Sequence, residues 1–584
     1  MNDRRMLWRM ALIIVGVLCV WTGLAVRLSF LHLGPNETLK ERVRRIRHYE
    51  RELVAGRGRI HDASGATLAL DLDTKDVIVD PKTILANGQA QAVARQLSVV
   101  LGIPLSKVES RVNRPGRRYE YIKKYVQHDE FEQIIRMKLA GVFMEDSSAR
   151  YYPHDSMLCH VIGFANLASD GCAGIELKLD RKLRGTPGLQ VSERDGRRRE
   201  IYEKRTVQIA PETGCDVHLT VDVQVQYVVE QALQSAVHEY NAKSGWAVVQ
   251  EVKTGRILAM ASLPAFSLNE YRRVHEEELL NRVIGYSYEP GSTMKAAVIA
   301  AALQERVVTE TTMIDCEGGT WYYKGRPLRD FHPYGLLSVA DVLKKSSNIG
   351  TAKIALLLGE KRLDTYLRAF GIGRRTGIEL PGEEGGVFHA RKNWDSLTIT
   401  RVPMGHAVAV TALQMVAMYS AIANEGKLLR PRIVDLVTNA SGEAVYRSEV
   451  EVVGTPLSLD TSRTMRRLLK RVSEQGGTAR RARIEGYDVA GKTGTAEKVI
   501  NGKYAKHANI ASFVGFLPAD NPELCILTVV DEPHKFTTGG RVAAPIFKEI
   551  AEQIVRYLGI PPGGWEYPMY AENGQDTPAG STVP

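Results

Sequence analysis

A run of seventeen uncharged residues near the start of the chain, MALIIVGVLCVWTGLAV at positions 10–26, sets the strongest limit on how this sequence can fold. Its length is at the short end of what crosses a bilayer, and the following RLSFLHL can continue a helix to residue 33 while its arginine extends to the interface. Three arginines lie before the run, among residues 4–9, and they predict a cytoplasmic N-terminus. We therefore expect a cytoplasmic segment at 1–9 and one transmembrane helix at 10–33.

The competing interpretation of this run is a secretory signal peptide that is removed after export. Signal peptides end in small residues in an A-x-A arrangement, and the sequence after the run has no such site. We expect an uncleaved, single-pass anchor in the cytoplasmic (inner) membrane, with the rest of the chain periplasmic or otherwise extracytoplasmic.

Composition describes the remaining chain as globular and larger than one domain. The 584 residues are 44% hydrophobic and 25% charged, and a chain of that length exceeds one ordinary core. The net charge of +10 comes from basic residues spread along the sequence, which indicates a solvated surface, and nucleic acid is not expected as a partner beyond a membrane. No zinc pattern, P-loop or dinucleotide fingerprint occurs, so we expect no metal and no cofactor.

The six cysteines are scattered. Cys19 lies in the apolar run, and the odd number of the others argues against a complete disulfide framework. Cys159 and Cys172 are a candidate disulfide pair.

The first part of the chain beyond the anchor mixes strand-like and helix-like patterns. Within residues 34–215, DVIVD at 76–80 is typical of a strand and the segment 88–102 of a helix, which predicts an extended, mixed module. At the other end of the chain, residues 561–584 are rich in Gly, Pro and polar residues and are expected to be disordered.

The part between them, residues 216–560, has a different order of elements. It begins with a helix capped by Asp222 and a hairpin at 245–262. Three strands and a closing helix are predicted at 487–499, 510–519, 523–533 and 544–559. This order predicts an α/β domain whose sheet joins distant parts of the chain.

The segment EPGSTMK at 289–295 allows two interpretations of its serine. A Pro-Gly pair before Ser292 is typical of a helix N-cap, and the Ala-rich sequence that follows predicts a helix at 292–307. In that helix Lys295 lies one turn after Ser292, close enough for its amine to contact the hydroxyl. Burial and the positive end of the helix dipole both disfavour the ammonium form, so Lys295 can accept the serine proton near pH 7.

Two further motifs favour the nucleophile. Ser346-Ser347-Asn348 begins 54 positions after Ser292, and Lys492-Thr493-Gly494-Thr495 begins 146 positions after Ser346. One such motif can arise by chance, but all three in this order are a highly specific signal. Ser346 can relay a proton to a leaving amine, and Asn348 can hold a substrate amide through a paired donor and acceptor.

The third motif lies on a predicted strand. Lys492 offers a positive charge there, and Gly494 leaves space for the close approach of a substrate backbone. Thr493 and Thr495 offer hydroxyl groups. These groups together suit a peptide that ends in a free carboxylate.

With these three motifs, the chain resembles the class B penicillin-binding proteins, the monofunctional, membrane-anchored peptidoglycan DD-transpeptidases. RGRIHDASGATLA (57–69) is similar to a motif of the family's N-terminal module. RYYPHDSMLCHVIGF (150–164) and GCAGIELKLDRKLRGTPG (171–188) resemble motifs that brace the linker to the catalytic domain. The short module and the absence of added C-terminal repeats are most similar to the division-type, septal enzymes.

The resemblance implies an α/β (α+β) multidomain fold. It implies a single N-terminal transmembrane helix, an extended mixed pedestal or dimerisation-type module at 34–215, and a transpeptidase domain at 216–560. That domain would be like those of penicillin-binding proteins and serine β-lactamases, with an antiparallel sheet and helices.

The implied reaction is the cross-linking of peptidoglycan stem peptides that end in D-Ala-D-Ala, through a serine acyl-enzyme and with release of the terminal D-Ala. The resemblance places it in septal wall synthesis during cell division. It also implies β-lactams as covalent inhibitors, and a polytopic glycosyltransferase and other divisome proteins as partners.

The resemblance also assigns site residues by position. They are Ser292, Lys295, Ser346, Asn348, Lys492, Thr493, Gly494 and Thr495. Ser292 would be acylated with Lys295 as its base, and the backbone N–H groups of Ser292 and Thr495 would form the oxyanion hole. The chain departs from the family at Gly405-His406-Ala407, where relatives often show Gly-x-Gly, and we expect no catalytic role for His406.

Three alternatives remain. An elongation-type class B transpeptidase shares all the motifs. A DD-carboxypeptidase or β-lactamase-like hydrolase needs a positioned general base for water, and no glutamate has the setting that class A β-lactamases use. A catalytically silent scaffold or β-lactam sensor would carry a damaged motif, and all three motifs are intact.

Overall fold

The structure is a computed structural model that describes residues 2–33, 37, 41, 47–194, 200–201, 205–500 and 503–562. The expected disorder of the tail at 561–584 therefore lies, from residue 563 onwards, outside the described residues. The chain divides into two compact units, Met1–Gly56 with Gly185–Thr213 and Arg57–Arg184 with Gly214–Pro584.

The smaller unit contains a long apolar helix and a sheet. The helix is Asn2–Leu33, and its part Arg4–Leu33 is long and apolar enough to cross a membrane, consistent with a single-pass anchor. The described strands of the sheet are His48–Leu53, Gly188–Arg194, Glu200–Ile201 and Val207–Ile209. Gly188–Arg194 pairs antiparallel with each of the other three.

The larger unit contains a seven-stranded sheet that connects segments far apart in the chain. Its strands are Ala444–Arg447, Val434–Thr438, Asp216–Leu219, Ile60–His61, Thr67–Val79, Glu120–Val126 and Val142–Tyr151. Ile60–His61 and Asp216–Leu219 run parallel, and the other pairs are antiparallel. One sheet thus combines strands from both sides of residue 215. The boundary between a module at 34–215 and a domain at 216–560 stays a prediction.

Four helices lie near the strands at one end of this sheet. They are Pro81–Ala86, Ala90–Leu101, Leu105–Val112 and His128–Met137. Their apolar faces and the sheet enclose a small core that includes Val77, Leu97 and Val108. The strand and the helix expected at 76–80 and 88–102 are thus confirmed.

A buried ion cluster joins the three segments that carry the N-terminal motifs. Arg57 Nε donates to Glu176 Oε2 at 2.6 Å, and its Nη1 donates to Asp180 Oδ1 at 2.8 Å. Arg150 Nε donates to the second oxygen of Glu176 at 2.7 Å, and its Nη1 donates to Asp71 Oδ1 at 3.0 Å. The side chains of Arg57 and Glu176 are completely buried, so each charge depends on its partner for stabilisation.

The second large sheet is antiparallel and has five strands. In spatial order they are Ile257–Leu263, Ser244–Glu251, Leu524–Asp531, Lys503–Leu517 and Ala490–Ile500. Helices Val223–Glu239 and Ala543–Tyr557 cover one face, and Ala412–Ala423 packs on the other. Asp222 caps the first of these helices by accepting from the backbone N–H groups of Gln224 and Val225, as its sequence predicts.

Shorter elements complete the larger unit. Further helices are Cys159–Ile162, Gly174–Lys178, Asp180–Leu183, Arg282–Gly285, Lys295–Gln304, Val339–Lys345, Asn348–Leu358, Glu360–Ala369, Thr398–Arg401 and Leu459–Ser473. Two-stranded pairs are Met313–Asp315 with Leu336–Ser338, Thr320–Tyr323 with Arg326–Arg329, and Leu428–Leu429 with Val452–Gly454.

The candidate disulfide is not formed. Cys159 is buried beside His160, its Sγ 3.3 Å from the ring Nδ1, whereas Cys172 is exposed and donates to the carbonyl of Asp170. Both side chains are free thiols.

Candidate active site

Ser292 lies in a tight turn and not in an α-helix. A 3-10 turn covers Gly291–Met294 and the α-helix follows at Lys295–Gln304, so the helix expected at 292–307 begins later and ends earlier. Neither element has a side-chain cap, so Ser292 does not act as an N-cap. The structure thereby removes the competing interpretation of this serine.

Glycines bring three backbone segments together around this turn. Gly291 and Gly405 have φ of +57° and +77°, and a Cβ on Gly405 would lie 2.2 Å from the Gly291 carbonyl oxygen. A Cβ on Gly494 would lie 2.3 Å from Ser512 Oγ and 2.8 Å from the Pro290 carbonyl oxygen. The expectation that Gly494 leaves space for the substrate is therefore wrong, because the protein's own backbone and Ser512 fill that space.

The same packing places the segments that carry the expected oxyanion donors side by side. A Cβ on Gly291 would lie 2.7 Å from the carbonyl oxygen and 3.3 Å from the nitrogen of Thr495. The backbone N–H groups of Ser292 and Thr495 thus belong to directly adjoining segments, as a shared oxyanion site requires.

Two buried lysines converge on one hydroxyl group. Lys295 Nζ donates to Ser346 Oγ at 3.2 Å, to the Ser346 carbonyl at 2.6 Å and to Asn348 Oδ1 at 2.7 Å. Lys492 Nζ donates to the same Ser346 Oγ at 2.9 Å. No hydrogen bond among the described residues joins Lys295 to Ser292, because three other acceptors occupy the amine. The expected contact between amine and nucleophile is therefore not made in this structure.

This environment changes the acidity of both amines. Burial lowers the pKa of Lys295 to about 7, although the charge of Asp330 acts in the opposite direction. Burial and the neighbouring Lys295 lower the pKa of Lys492 well below its usual range. Because both side chains are completely buried beside one hydroxyl, the pair does not hold two positive charges near neutral pH.

Asp330 holds the second motif in place, and no sequence pattern indicated this residue. Its carboxylate accepts from the Ser347 hydroxyl at 2.6 Å and from the backbone N–H groups of Asn348 and Ile349, which start the helix Asn348–Leu358. Asn348 Nδ2 donates to the Arg329 carbonyl at 2.9 Å. Each end of the Asn348 amide keeps one further bonding position for a substrate.

A wide cleft opens above these residues. Its volume is about 1360 Å³, which exceeds the roughly 300–1,000 Å³ typical of small-molecule sites. Ser292, Ser346, Asn348, Thr493 and Thr495 line it.

The positively charged side chains on the cleft wall do not include Lys492, which was expected to offer its charge to the substrate. Lys492 is completely buried and does not reach the wall, whereas Arg480, Arg481 and Arg541 line it. Lys492 Nζ lies 3.3 Å from the Thr493 carbonyl oxygen, so a proton on this amine would act on the cleft from beneath this strand.

One edge of the cleft holds three polar residues that the motifs do not include. His406 lies in a loop at the cleft, and its Nδ1 donates to Glu289 Oε2 at 2.8 Å. The Tyr504 hydroxyl lies 3.3 Å from both carboxylate oxygens. Glu289 opens the EPGSTMK segment, so its position three residues before Ser292 is the one sequence signal that could have identified this group.

Comparison with known proteins identifies related sequences over nearly the whole chain. The family described as "Penicillin binding protein transpeptidase domain" matches residues 245–552, and the "Penicillin-binding Protein dimerisation domain" matches residues 52–219. The chain is 31% identical over 560 residues to the probable peptidoglycan D,D-transpeptidase PenA of Neisseria meningitidis, covering 95% of this chain and 93% of the relative.

Two further relatives extend the comparison. The chain is 32% identical over 564 residues to the peptidoglycan D,D-transpeptidase FtsI of Escherichia coli K12, covering 95% of this chain and 92% of the relative. The crystal structure of penicillin-binding protein 3 of Mycobacterium tuberculosis with aztreonam is similar with a TM-score of 0.70 and 27% identity, over 88% of this chain and 98% of that one.

Proposed function

We propose that the three motifs of this chain carry out an acyl transfer through Ser292. The proposal starts from the family: the chain belongs to the class B penicillin-binding proteins and is a serine-type peptidoglycan D,D-transpeptidase of the division type. The observation that carries the proposal is the buried chain Lys295–Ser346–Lys492 beside Ser292, with the pKa of Lys295 near neutrality.

In the first half-reaction Lys295 accepts the proton of Ser292, and the serine oxygen attacks the carbonyl of the D-Ala-D-Ala bond. Lys295 must exchange one of its present acceptors for Ser292, as apo active sites often require. The N–H groups of Ser292 and Thr495 stabilise the oxyanion. Ser346 passes its proton to the nitrogen of the departing D-Ala and takes up the proton that Lys295 accepted, which leaves a serine ester and a neutral Lys295.

The substrate peptide lies along the third motif in this proposal. The hydroxyls of Thr493 and Thr495 bind its terminal carboxylate, and Asn348 binds the preceding amide. Lys492 supplies charge from beneath, because an arriving carboxylate raises the pKa of a buried amine again. Gly494 contributes by allowing the close approach of the serine turn.

The decisive experiment is labelling with a fluorescent penicillin followed by mapping of the modified peptide. We expect one label, on Ser292, and none in a Ser292→Ala variant that keeps the parental melting temperature. A label on another residue, or rapid turnover of the penicillin by the purified protein, would contradict the acyl-transfer assignment.

The setting of the reaction is also part of the proposal. Residues 1–9 would face the cytoplasm, 10–33 would anchor the chain, and the pedestal at 34–215 and transpeptidase at 216–560 would be periplasmic. The arginines at 4–9 support this orientation. A polytopic glycosyltransferase and other divisome proteins would be partners, and β-lactams covalent inhibitors. A reporter fused after residue 584 that stays cytoplasmic would refute the orientation.

A further inference from the structure

We propose that His406, held by Glu289, is the general base that deprotonates the acceptor amine in the second half-reaction. This inference rests on the acyl-enzyme proposed for Ser292. It concerns the step in which a second stem peptide, presenting a primary amine, replaces the serine.

A carboxylate fixes the proton on the imidazole ring of His406. An ionised carboxylate only accepts hydrogen bonds, so the 2.8 Å contact with Glu289 Oε2 requires a proton on Nδ1. In the neutral ring Nε2 is then the free proton acceptor. The other oxygen of Glu289 accepts from the backbone N–H of Ala407 at 3.0 Å, so the ring and its turn are held by one group.

The pair lies next to the nucleophile. Glu289 precedes Ser292 by three residues, and Gly405, which precedes His406, makes the close backbone contact with Gly291. Both side chains line the cleft that contains Ser292, and 29% of the His406 side chain is exposed. Within the described residues, no hydrogen bond involves Nε2 of this ring.

Other titratable groups on the same wall do not replace this base. Burial and the charge of Glu289 raise the pKa of Tyr504 to about 12, so its hydroxyl keeps its proton at neutral pH. Arg401 and Glu497 also line the wall and place one charge of each sign near Tyr504. Lys295 and Lys492 lie beneath the surface, bonded to Ser346.

The chemistry of the acceptor requires such a group. A primary amine is an ammonium ion at neutral pH and has no lone pair with which to attack an ester. His406 Nε2 takes one proton, the nitrogen bonds to the acyl carbon, and the carbon–Oγ bond of the Ser292 ester breaks. The second amine proton passes to the Ser292 oxygen through Lys295. The imidazolium releases its proton to solvent, which leaves an amide, free Ser292 and one proton.

Two variants test this assignment. In His406→Asn the amide nitrogen can replace Nδ1 as the donor to Glu289, but no base remains. In Glu289→Gln the new amide donates to Nδ1, which moves the ring proton to Nε2 and blocks it in the same way. Both variants keep the hydrogen bond that holds the turn.

The full-length enzyme is acylated with a small thioester donor, and the transfer of the acyl group to D-alanine is compared with its hydrolysis across pH 6–9. We expect both variants to lose transfer by about a hundredfold at pH 7, within the range for general-base catalysis. Their labelling by fluorescent penicillin should change by no more than about twofold, and the double variant should lose no more than either single one.

Hydroxylamine is the matched acceptor, because it is already unprotonated at neutral pH. Transfer to it should stay near the parental rate in both variants. An equal loss with hydroxylamine and D-alanine, an equal loss of penicillin labelling, or unchanged transfer to D-alanine would each overturn the role of His406. Parental enzyme that is not labelled at Ser292 would instead refute the acyl-enzyme itself.

Discussion

Two groups of buried ionisable residues in the larger unit differ in how their charges are paired. The ion cluster around Arg57 and Glu176 pairs each arginine with carboxylates at 2.6–3.0 Å. Burial lowers the pKa of Arg150, but Glu176 and Asp71 more than offset this, so its pKa is raised. Lys295 and Lys492 instead share one neutral hydroxyl and have lowered pKa values.

This difference separates structural from chemical use of buried charge. Opposite charges in contact keep their protonation and stabilise the arrangement of the segments that carry them. Like charges in contact with a polar but neutral group are destabilised, so one of them gives up its proton near neutral pH. The second arrangement supplies a base, and the first cannot.

The largest expected effect is on chemistry. Lys295→Met keeps most of the side-chain volume and removes the base, so penicillin acylation should fall by about 10²–10⁴-fold while the melting temperature is retained. Stopped-flow labelling of the full-length protein measures the rate. If this variant is acylated at the parental rate, the base is another residue, and the lysine pair does not differ from the ion cluster in supplying a base.

Loss of one partner in the ion cluster should affect stability and leave chemistry intact. Glu176→Gln leaves buried arginines without their shared carboxylate and should cost about 3–5 kcal/mol of stability. Glu523→Gln, which breaks the exposed pair with Lys253, is the matched control and should cost less than about 1 kcal/mol. Melting temperatures of the two variants, with acylation rates at low temperature, test this. A Glu176→Gln variant that keeps the parental melting temperature but is acylated slowly would contradict this prediction.

The variant Lys492→Met tests whether the second lysine contributes to recognition of the substrate carboxylate. The positive charge of Lys492 would attract the carboxylate from beneath the strand without a direct hydrogen bond, so acylation should fall by about tenfold. A β-lactam whose carboxylate is esterified should lose much less. If acid and ester lose equally, Lys492 acts on the proton at Ser346 and not on the carboxylate.

Acylation should depend on pH through the amine of Lys295, whose pKa is about 7. Below that pH the rate should rise by about tenfold per unit, and above it the rate should level off. For stability, the unfolded state binds the lysine proton more tightly between pH 7 and the usual 10.5, so the contribution of Lys295 to stability rises with pH in that window. Lys295→Met should lack this rise in a thermal series. A flat rate profile in the parental enzyme would contradict the lowered pKa.

The smallest expected effect concerns Asp330, whose charge raises the pKa of Lys295. Asp330→Asn keeps an acceptor for the N-terminus of the helix Asn348–Leu358 but removes the charge. The midpoint of the pH–rate profile should therefore shift downwards by a fraction of a unit. A shift upwards would mean that the carboxylate acts through the position of Asn348 instead.

Local pattern predicted the elements well. Spacing along one helix or strand determines which residues share a face, so the hairpin, the closing strands and the cap at Asp222 followed from the sequence. The same reasoning placed Lys295 and Ser292 one turn apart in a single helix, but it overlooked the 3-10 turn that precedes the helix.

What the sequence did not predict depends on contacts between distant segments. Asp330 reaches Ser347 from a separate hairpin, and Tyr504 reaches Glu289 across 215 positions. The space beside Gly494 is filled by Pro290 and Ser512, which no local pattern indicates. Such contacts are set by tertiary packing and leave no fixed spacing in the chain.

The contact of Gly291, Gly405 and Gly494 has a consequence for inhibitor design. Resistance to an inhibitor usually arises when a side chain in contact with the drug is replaced by another. Here backbone atoms, together with Ser512 Oγ, pack against these glycines, and a Cβ at any of the three would approach another atom to within 2.2–2.7 Å. An inhibitor whose affinity comes from this backbone floor should therefore select few escape mutations, since each available substitution would displace the serine that the cell needs.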